Sequence, residues 1–270
     1  MDYIYSIVLG AVQAITEFLP ISSSGHLIIF HQFLKSPLLD SAAFDVMLHA
    51  GTLLAALIYF WPEIKKIFIG FFQTIGRFKI STDFNQQLPW LLIVGSVPAA
   101  LVGYFFNDFI EQAFRSIHWI IIPLIAGGLL FILAEKFGLK KRNLDSMNFL
   151  DTLLIGLAQV LAFIPGTSRS GITITAALGS GFKRADAAKF SFLLSLPVIA
   201  GATIQKITQV ASGDFSAHSL FVFILGAVTS AGVGYVVIKY FIHFLERHSL
   251  TVFAVYRFIL AAILIAIFLV

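Results

Sequence analysis

The amino-acid sequence predicts an all-α integral membrane protein with six transmembrane helices and two re-entrant helical hairpins, arranged as an inverted-topology repeat. Composition, six long apolar stretches and two similar polar interruptions lead to this fold class. Hydrophobic residues make up 59% of the chain and charged residues only 12%, about half the charge of a soluble domain. With a mean hydropathy of +0.93, the surrounding solvent is predicted to be lipid. Despite the net charge of +4, nucleic-acid binding is not expected, and the lack of cysteine excludes disulfides and thiolate metal sites.

Six apolar stretches have about the 20 residues needed to cross a bilayer, at 42–61, 88–106, 118–136, 186–207, 218–242 and 250–270. Two further apolar regions, 3–34 and 150–182, are interrupted by PISSSGH and PGTSRSG. Proline and Ser/Gly clusters end helices, and each remaining half is too short to cross. We therefore expect two re-entrant hairpins, whose turns must be surrounded by protein or a wet cavity.

The distribution of basic residues predicts the orientation of the chain. Alternate loops carry most of the lysines and arginines, and the positive-inside rule places those loops in the cytoplasm and both termini outside. No lysine or arginine precedes Lys35, so the first apolar stretch is not expected to be a signal peptide. Segment 62–79 is predicted to be a basic amphipathic helix on the cytoplasmic surface. The cytoplasmic basic residues are Lys65, Lys66, Arg77, Lys79, Lys136, Lys140, Lys141, Arg142, Lys183, Arg184, Lys189, Lys239 and Arg247.

The two polar interruptions are copies of each other. GAVQAITEFLPISSSGHL and GLAQVLAFIPGTSRSGIT align at a constant offset that pairs Gly10 with Gly156, Gln13 with Gln159 and Ser22 with Ser168. Each copy is followed by three predicted spans, and an odd number of crossings inverts the second copy relative to the first. The prediction is one membrane domain, 1–270, built from repeats of about 1–140 and 145–270, with a site between the broken helices.

The differences between the copies indicate a composite anion site. Glu17 is opposite Phe163, His26 is opposite Ile172, and Arg169 is opposite Ser23. An arginine at the centre of a membrane helix costs at least about 2.5–3.5 kcal/mol, and its planar fork suits two phosphate oxygens. The alternative is a buried ion pair with Glu17. The turn amides would add an anion nest, and the candidate binding residues are Gln13, Ser22, Ser24, Gly25, Gly166, Thr167, Ser168, Ser170 and Gly171.

The candidate catalytic residues are Glu17, His26, Ser23 and Arg169. Glu17 could act as a general base, orient a histidine or help to hold a divalent cation, whereas His26 and Ser23 are candidate nucleophiles toward phosphorus. Asp45 and His49 share a helix face; they either extend the site or pair with each other, and the second interpretation is slightly favoured.

At these residues the sequence resembles the bacitracin-resistance family of undecaprenyl pyrophosphate phosphatases. The first family signature corresponds to QAITEFLPISSSGH, and the second, PGTSRSG, is intact from Pro165 to Gly171. The resemblance covers essentially the whole chain. Many relatives have glutamate where this chain has Gln13, so any role of a carboxylate there falls to Glu17.

The resemblance implies a hydrolase of the bacterial cytoplasmic membrane that removes the terminal phosphate of undecaprenyl pyrophosphate. Its product carries peptidoglycan and other envelope precursors. Glu17, Ser23, His26 and Arg169 are then the expected active-site residues, supported by Ser168 and Ser170. The resemblance also implies a divalent cation, magnesium or calcium, shared between Glu17 and the substrate phosphates, and a site that opens to the outer side.

A transporter or flippase of a lipid-linked phosphate is the alternative function. Inverted repeats with broken helices are above all a transporter plan, and the residues alone leave the two functions close to even. The family motifs favour the phosphatase. The sequence leaves open the choice of His26, Ser23 or water as nucleophile, the prenyl chain length and the oligomeric state. A homodimer is compatible with the small residues Gly226, Ala227, Gly232 and Gly234, which permit close packing.

Overall fold

The computed structural model describes residues 1–34, 36–75, 83–113, 118–210 and 215–268, and most of these residues are helical. No strand occurs in them, and one isolated bridge joins Arg142 to Phe182. The all-α prediction is confirmed. The helices are α1 (Asp2–Phe18), α2 (Ser23–Leu34), α3 (Ala42–Tyr59), α4 (Trp61–Ile75), α5 (Phe84–Ala113), α6 (His118–Phe137), α7 (Phe149–Val160), α8 (Arg169–Gly179), α9 (Arg184–Val210), α10 (Ala217–Arg247) and α11 (Thr251–Phe268).

Six helices are long and apolar enough to cross a membrane, as predicted: α3, α5, α6, α9, α10 and α11. The protein is therefore a multi-pass membrane protein. The main differences from the predicted spans lie at helix ends, where polar residues continue the helix beyond the apolar stretch. Helix α10, for example, extends to Arg247, five residues past the predicted limit of 242.

Helix α4 corresponds to the predicted amphipathic segment 62–79. It begins at Trp61, with Pro62 in its first turn, where a proline is tolerated. It buries Ile64, Gly70 and Thr74 and packs against α5, while Phe68 and Phe72 are exposed. Residues 76–79 of the prediction lie outside the described ranges.

The two predicted interruptions are real breaks between helices. Helix α1 ends at Phe18 and α2 begins at Ser23, whereas α7 ends at Val160, continues as a 3-10 turn at Leu161–Phe163, and is followed by α8 from Arg169. The residues that precede the two prolines, Leu19 and Ile164, both have extended backbone. A proline disfavours helical geometry in the residue before it, which accounts for the position of each break.

Glycines bring four of the helices into close contact. A Cβ on Gly10 would lie 2.6 Å from the carbonyl oxygen of Gly226, and a Cβ on Gly156 would lie 2.4 Å from that of Gly95. Helix α1 therefore packs on α10 in the same way that α7 packs on α5. Gly226 serves packing within the chain, as Gly234 does, whereas a Cβ on Gly232 would meet no atom within 4 Å.

Ion pairs join the helices at the basic end of the molecule. Arg142 holds both carboxylate oxygens of Asp151, at 2.8 and 2.6 Å, and these hydrogen bonds raise the pKa of Arg142 above its ordinary value. Arg184 similarly binds Glu135 through two nitrogens. The first pair ties the start of α7 to the chain that follows α6, and the second ties the start of α9 to the last turn of α6.

Candidate active site

The turns that precede α2 and α8 have the same local geometry. Ser22 and Ser168 have φ angles of 76° and 70°, in the left-handed region that non-glycine residues rarely adopt. Each serine Oγ accepts a hydrogen bond from the N–H group three residues later, at 3.3 Å from Gly25 and 3.2 Å from Gly171. Their hydroxyls also form hydrogen bonds with the serine two residues later, Ser22 with Ser24 and Ser168 with Ser170. Both serines therefore cap the N-terminus of the following helix.

The two turns touch each other. The Ser170 hydroxyl donates to the carbonyl of Leu19 at 3.3 Å, and a Cβ on Gly25 would lie 3.7 Å from the Cα of Gly166. Gly166 has a φ of 93°, and a Cβ there would lie 2.6 Å from the carbonyl oxygen of Ile120, so only glycine fits. The N-termini of α2 and α8 thus lie side by side. Because helix N-termini favour anions, this arrangement suits an anionic ligand.

Glu17 is the centre of the polar contacts. Its Oε1 accepts a hydrogen bond from Arg169 Nη2 at 2.7 Å, and its Oε2 accepts one from the Ser23 hydroxyl at 2.6 Å. The Arg169 Nη1 is 3.4 Å from the Ser191 carbonyl. The ion pair considered as the alternative role of Arg169 is therefore present. Three of the four predicted catalytic side chains lie in direct contact.

A cavity of about 190 Å³ opens on this cluster. One part of its wall is polar and is formed mainly by the two turns, and the other part is apolar. The polar lining residues are Glu17, Ser22, Ser23, Ser24, His49, Gln159, Ser168 and Arg169, and the apolar ones are Ala99, Ala162, Phe163, Val198, Ile199 and Ala202. Of the predicted anion-binding residues, Ser22, Ser24 and Ser168 line this cavity. The others, Gln13, Gly25, Gly166, Thr167, Ser170 and Gly171, are not among its lining residues.

The imidazole of His26 is held between the Ser22 carbonyl of the first turn and Tyr256 of α11. Its Nδ1 is 2.7 Å from the Ser22 carbonyl, and its Nε2 is 2.6 Å from the Tyr256 hydroxyl. Because a carbonyl only accepts, Nδ1 carries a proton and donates it to this oxygen. The ring is also stacked on Tyr256. His26 is not among the residues that line the cavity, so its predicted role as nucleophile stays a prediction.

Asp45 and His49 have different partners. His49 lines the cavity, and its Nδ1 accepts a hydrogen bond from the Gln13 amide at 2.6 Å. Asp45 instead lies 3.4 Å from His31. The favoured interpretation, that Asp45 and His49 pair with each other, is not what the structure has, because His31 from α2 takes the place beside Asp45.

Sequence analysis missed Gln159 as a site residue. The side chain is 1% exposed and lines the cavity. Its Nε2 is 3.5 Å from the Gly95 carbonyl, at the limit of a hydrogen bond, and its Oε1 has no hydrogen-bond partner. The alignment with Gln13 was the available signal, because both are amides on broken helices.

Arg257 was missed as well. This fully buried residue of α11 donates to the carbonyls of Pro20, Gly166 and Thr167 in the two turns. It also donates to two carbonyls of α6, those of Pro123 and Leu124. A Cβ on Gly127 would lie within 2.3 Å of its guanidinium, so that glycine makes room for it. The signal was a single charge in the apolar stretch 250–270, since such charges mark functional sites by default.

The fold and the cavity define a polytopic membrane protein with an embedded site that combines a carboxylate, hydroxyls and a guanidinium. Comparison with known proteins identifies the family. The family model described as bacitracin resistance protein BacA matches residues 6–263, and this chain belongs to that family.

Relatives named undecaprenyl-diphosphatase resemble the chain over nearly its whole length. The protein of Rubrobacter xylanophilus is 42% identical, with 100% of this chain and 99% of the relative covered. Those of Moorella thermoacetica and Teredinibacter turnerae are 41% and 43% identical, covering 99% and 98% of this chain and 98% of each relative.

Proposed function

We propose that this protein hydrolyses undecaprenyl pyrophosphate to undecaprenyl phosphate and inorganic phosphate. In this role it recycles the lipid carrier of cell-wall synthesis, and the family name links that activity to bacitracin resistance. One observation carries the proposal from the side of the structure: a single carboxylate, Glu17, contacts both a hydroxyl nucleophile, Ser23, and a fixed cation, Arg169. The relatives' names supply the substrate.

The contacts support Ser23 as the nucleophile. A hydroxyl that donates to an adjacent base at 2.6 Å has the geometry of an activated nucleophile. The Ser23 oxygen attacks the terminal phosphorus, its proton passes to Glu17, and the bond to the bridging oxygen breaks, so that prenyl phosphate leaves. Glu17 then passes this proton to the departing prenyl phosphate. Water attacks the phosphoserine, and Glu17 takes a proton from the water and gives it to the Ser23 oxygen as the bond between that oxygen and phosphorus breaks, so that phosphate leaves and the serine is restored.

Arg169 has two successive partners in this scheme. In the free protein it neutralises Glu17, because an unpaired carboxylate in the membrane interior is costly. An arriving pyrophosphate presents more negative charge than the carboxylate does and suits the bidentate fork. Arg169 then binds the phosphate oxygens, stabilises the charge that develops on the leaving group, and leaves Glu17 free to accept a proton.

The residues of the cavity fit a divalent cation that is shared with the substrate. Magnesium is commonly bound by one or two carboxylates together with substrate phosphates. Glu17 would be the carboxylate ligand, and the unpartnered amide oxygen of Gln159 would be a second oxygen donor. No group of three or more His, Cys, Asp or Glu residues with ligand geometry occurs in the described part of the chain. When bound, magnesium or calcium would neutralise charge on the pyrophosphate.

The inverted repeat and the re-entrant hairpins are part of the proposal. The matched φ angles of Ser22 and Ser168 and their matched cap bonds support two copies of one motif. Helix contacts support a two-fold relation, because α1 packs on α10 as α7 packs on α5, and α3 on α10 as α9 on α5. Three spanning helices follow each broken pair, which inverts the second copy.

The predicted location is the cytoplasmic membrane of a bacterium, with both termini outside. The basic loop that contains Arg142 and the start of α9, with Arg184 and Lys189, then lie in the cytoplasm, in agreement with the positive-inside rule. A single cysteine added at either terminus should react with a membrane-impermeant thiol reagent on intact spheroplasts, since the chain has no other cysteine.

Phosphate release from the purified protein tests the function. In detergent, without a second compartment, the protein should release inorganic phosphate from undecaprenyl pyrophosphate, whereas a pure transporter would release none. Arg169→Ala should lower kcat/KM by more than about a hundredfold, because a fixed charge at a developing anion contributes several kcal/mol. Arg247→Ala, at the exposed end of α10, is the matched control and should keep full activity.

A further inference from the structure

The apolar wall of the cavity has a distinct origin in the fold. Ala99 comes from α5, Ala162 and Phe163 come from the 3-10 turn after α7, and the remaining three come from α9. The polar lining comes instead from α1, α3, α7, the two turns and the first residues of α2 and α8. The cavity is therefore amphiphilic, with its charged groups on one side and its apolar groups on the other.

This wall leads to the outer surface of the helix bundle. Phe163 reaches across to α5, where its ring would lie 2.9 Å from a Cβ on Gly103. The same three elements also expose large apolar side chains, including Leu101 at 53%, Leu161 at 47% and Ile204 at 64%. In a multi-pass protein such side chains face lipid. Ala202, at the edge of the cavity, is itself exposed.

We infer that the wall formed by α5, the 3-10 turn and α9 is the subsite for the first isoprene units of the substrate, through which the prenyl chain leaves toward the bilayer. The inference rests on the proposed function. A prenyl pyrophosphate has an apolar chain joined to a charged group, and this cavity joins the two matching surfaces. A chain that left past Glu17, His49 or the serine turns would have to cover polar groups, which is costly.

The subsite acts by shape more than by affinity. A prenyl chain that moves from lipid to protein gains little from the hydrophobic effect, because lipid tails are as apolar as leucine. The small side chains of Ala99, Ala162 and Ala202 instead leave a path that aligns the chain and sets the terminal phosphorus beside Ser23. A short-chain substrate taken from water gains transfer free energy as well.

Ala202→Phe tests the path, with Ile204→Phe on the same helix as its control. The substrate is farnesyl pyrophosphate, which has three isoprene units, and inorganic pyrophosphate serves as a competitive inhibitor without a tail. Ala202→Phe should raise the KM for farnesyl pyrophosphate about tenfold, or 1.4 kcal/mol, and leave the Ki of inorganic pyrophosphate unchanged. Ile204→Phe should change neither constant. If Ala202→Phe raises the KM for farnesyl pyrophosphate and the Ki of inorganic pyrophosphate equally, or changes neither, the inference is overturned.

Thiol protection tests the same path without adding bulk. The chain has no cysteine, so Ala202→Cys and Ile204→Cys each carry one thiol. A farnesyl analogue with a methylene bridge between its phosphorus atoms should slow alkylation of Ala202→Cys, while methylenediphosphonate alone should not. Protection by the headgroup alone, or equal protection of Ile204→Cys, contradicts the subsite. This experiment measures binding and needs no turnover. Its result therefore tests the subsite independently of whether the unmodified protein releases phosphate.

Discussion

Replacing Arg257 by methionine should loosen both turns at once. Arg257 donates five hydrogen bonds, three of them to Pro20, Gly166 and Thr167 at 2.9–3.3 Å. All five acceptors are backbone carbonyl oxygens, and the substitution removes the charged donor from each of them. Methionine fills part of the space but donates nothing.

The magnitude follows from these bonds. Hydrogen bonds from a charged donor contribute about 1.5 kcal/mol or more each, so the five bonds amount to about 7–8 kcal/mol. Removing a buried charge recovers several kcal/mol of desolvation. We expect a net loss of about 2–3 kcal/mol, which lowers the Tm by about 5–10 °C. Displacement of Ser23 and Arg169 by about 1 Å should lower kcat by about a hundredfold.

Thermal unfolding in detergent and phosphate release measure the two effects. Arg257→Lys should fall between the native protein and Arg257→Met, because one ammonium has three donors in place of five. A positioning role predicts that kcat falls more than the Ki of inorganic pyrophosphate rises. If Arg257→Met keeps the native Tm and kcat, the proposed clamp on the turns is wrong.

Further substitutions test single contacts. Gln159→Leu should keep the fold but lower kcat/KM by about ten- to a hundredfold, since a buried amide oxygen without a partner in the free protein is expected to bind substrate or cation; unchanged activity with higher stability would assign it no such role. Ser168→Ala should lower the free energy of unfolding by about 1–2 kcal/mol through loss of its cap, whereas Ser168→Gly should cost less because glycine relieves the strain of the left-handed backbone. Gly166→Ala should lower the free energy of unfolding by at least about 2 kcal/mol, because of strain at a φ of 93° and overlap with Ile120. Gly232→Ala, where no atom lies nearby, should be neutral or stabilising. Equal Tm values for the two variants would contradict the packing described.

The spans and the two breaks were predictable because their signals are local. Apolar length defines the six spanning helices, and Pro20 and Pro165 set the positions where helices end. Contact between Glu17 and Arg169 was predictable as one of two alternatives, because two isolated charges in apolar sequence must find partners.

The rest of the site depends on contacts that sequence periodicity does not encode. Tyr256 lies 230 residues from His26, and nothing in either segment indicates that they meet. Arg257 was visible as a charge, but its partners are backbone carbonyls, which every residue has. The position of His49 was misjudged because a shared helix face with Asp45 does not reveal that His31 approaches from another helix.

The catalytic role of His26 can be separated from that of Ser23. His26 lies behind the first turn, and His26→Ala should lower kcat by disturbing that turn, with the pattern of phosphorylation unchanged. Ser23→Ala should remove the attacking oxygen altogether.

Rapid quenching during turnover tests the central claim, that the two turns form one hydrolytic site around Ser23. With substrate labelled on the terminal phosphate, the account predicts label on Ser23, present in His26→Ala and absent in Ser23→Ala. Label on His26, or phosphate release by Ser23→Ala at the native rate, would contradict it.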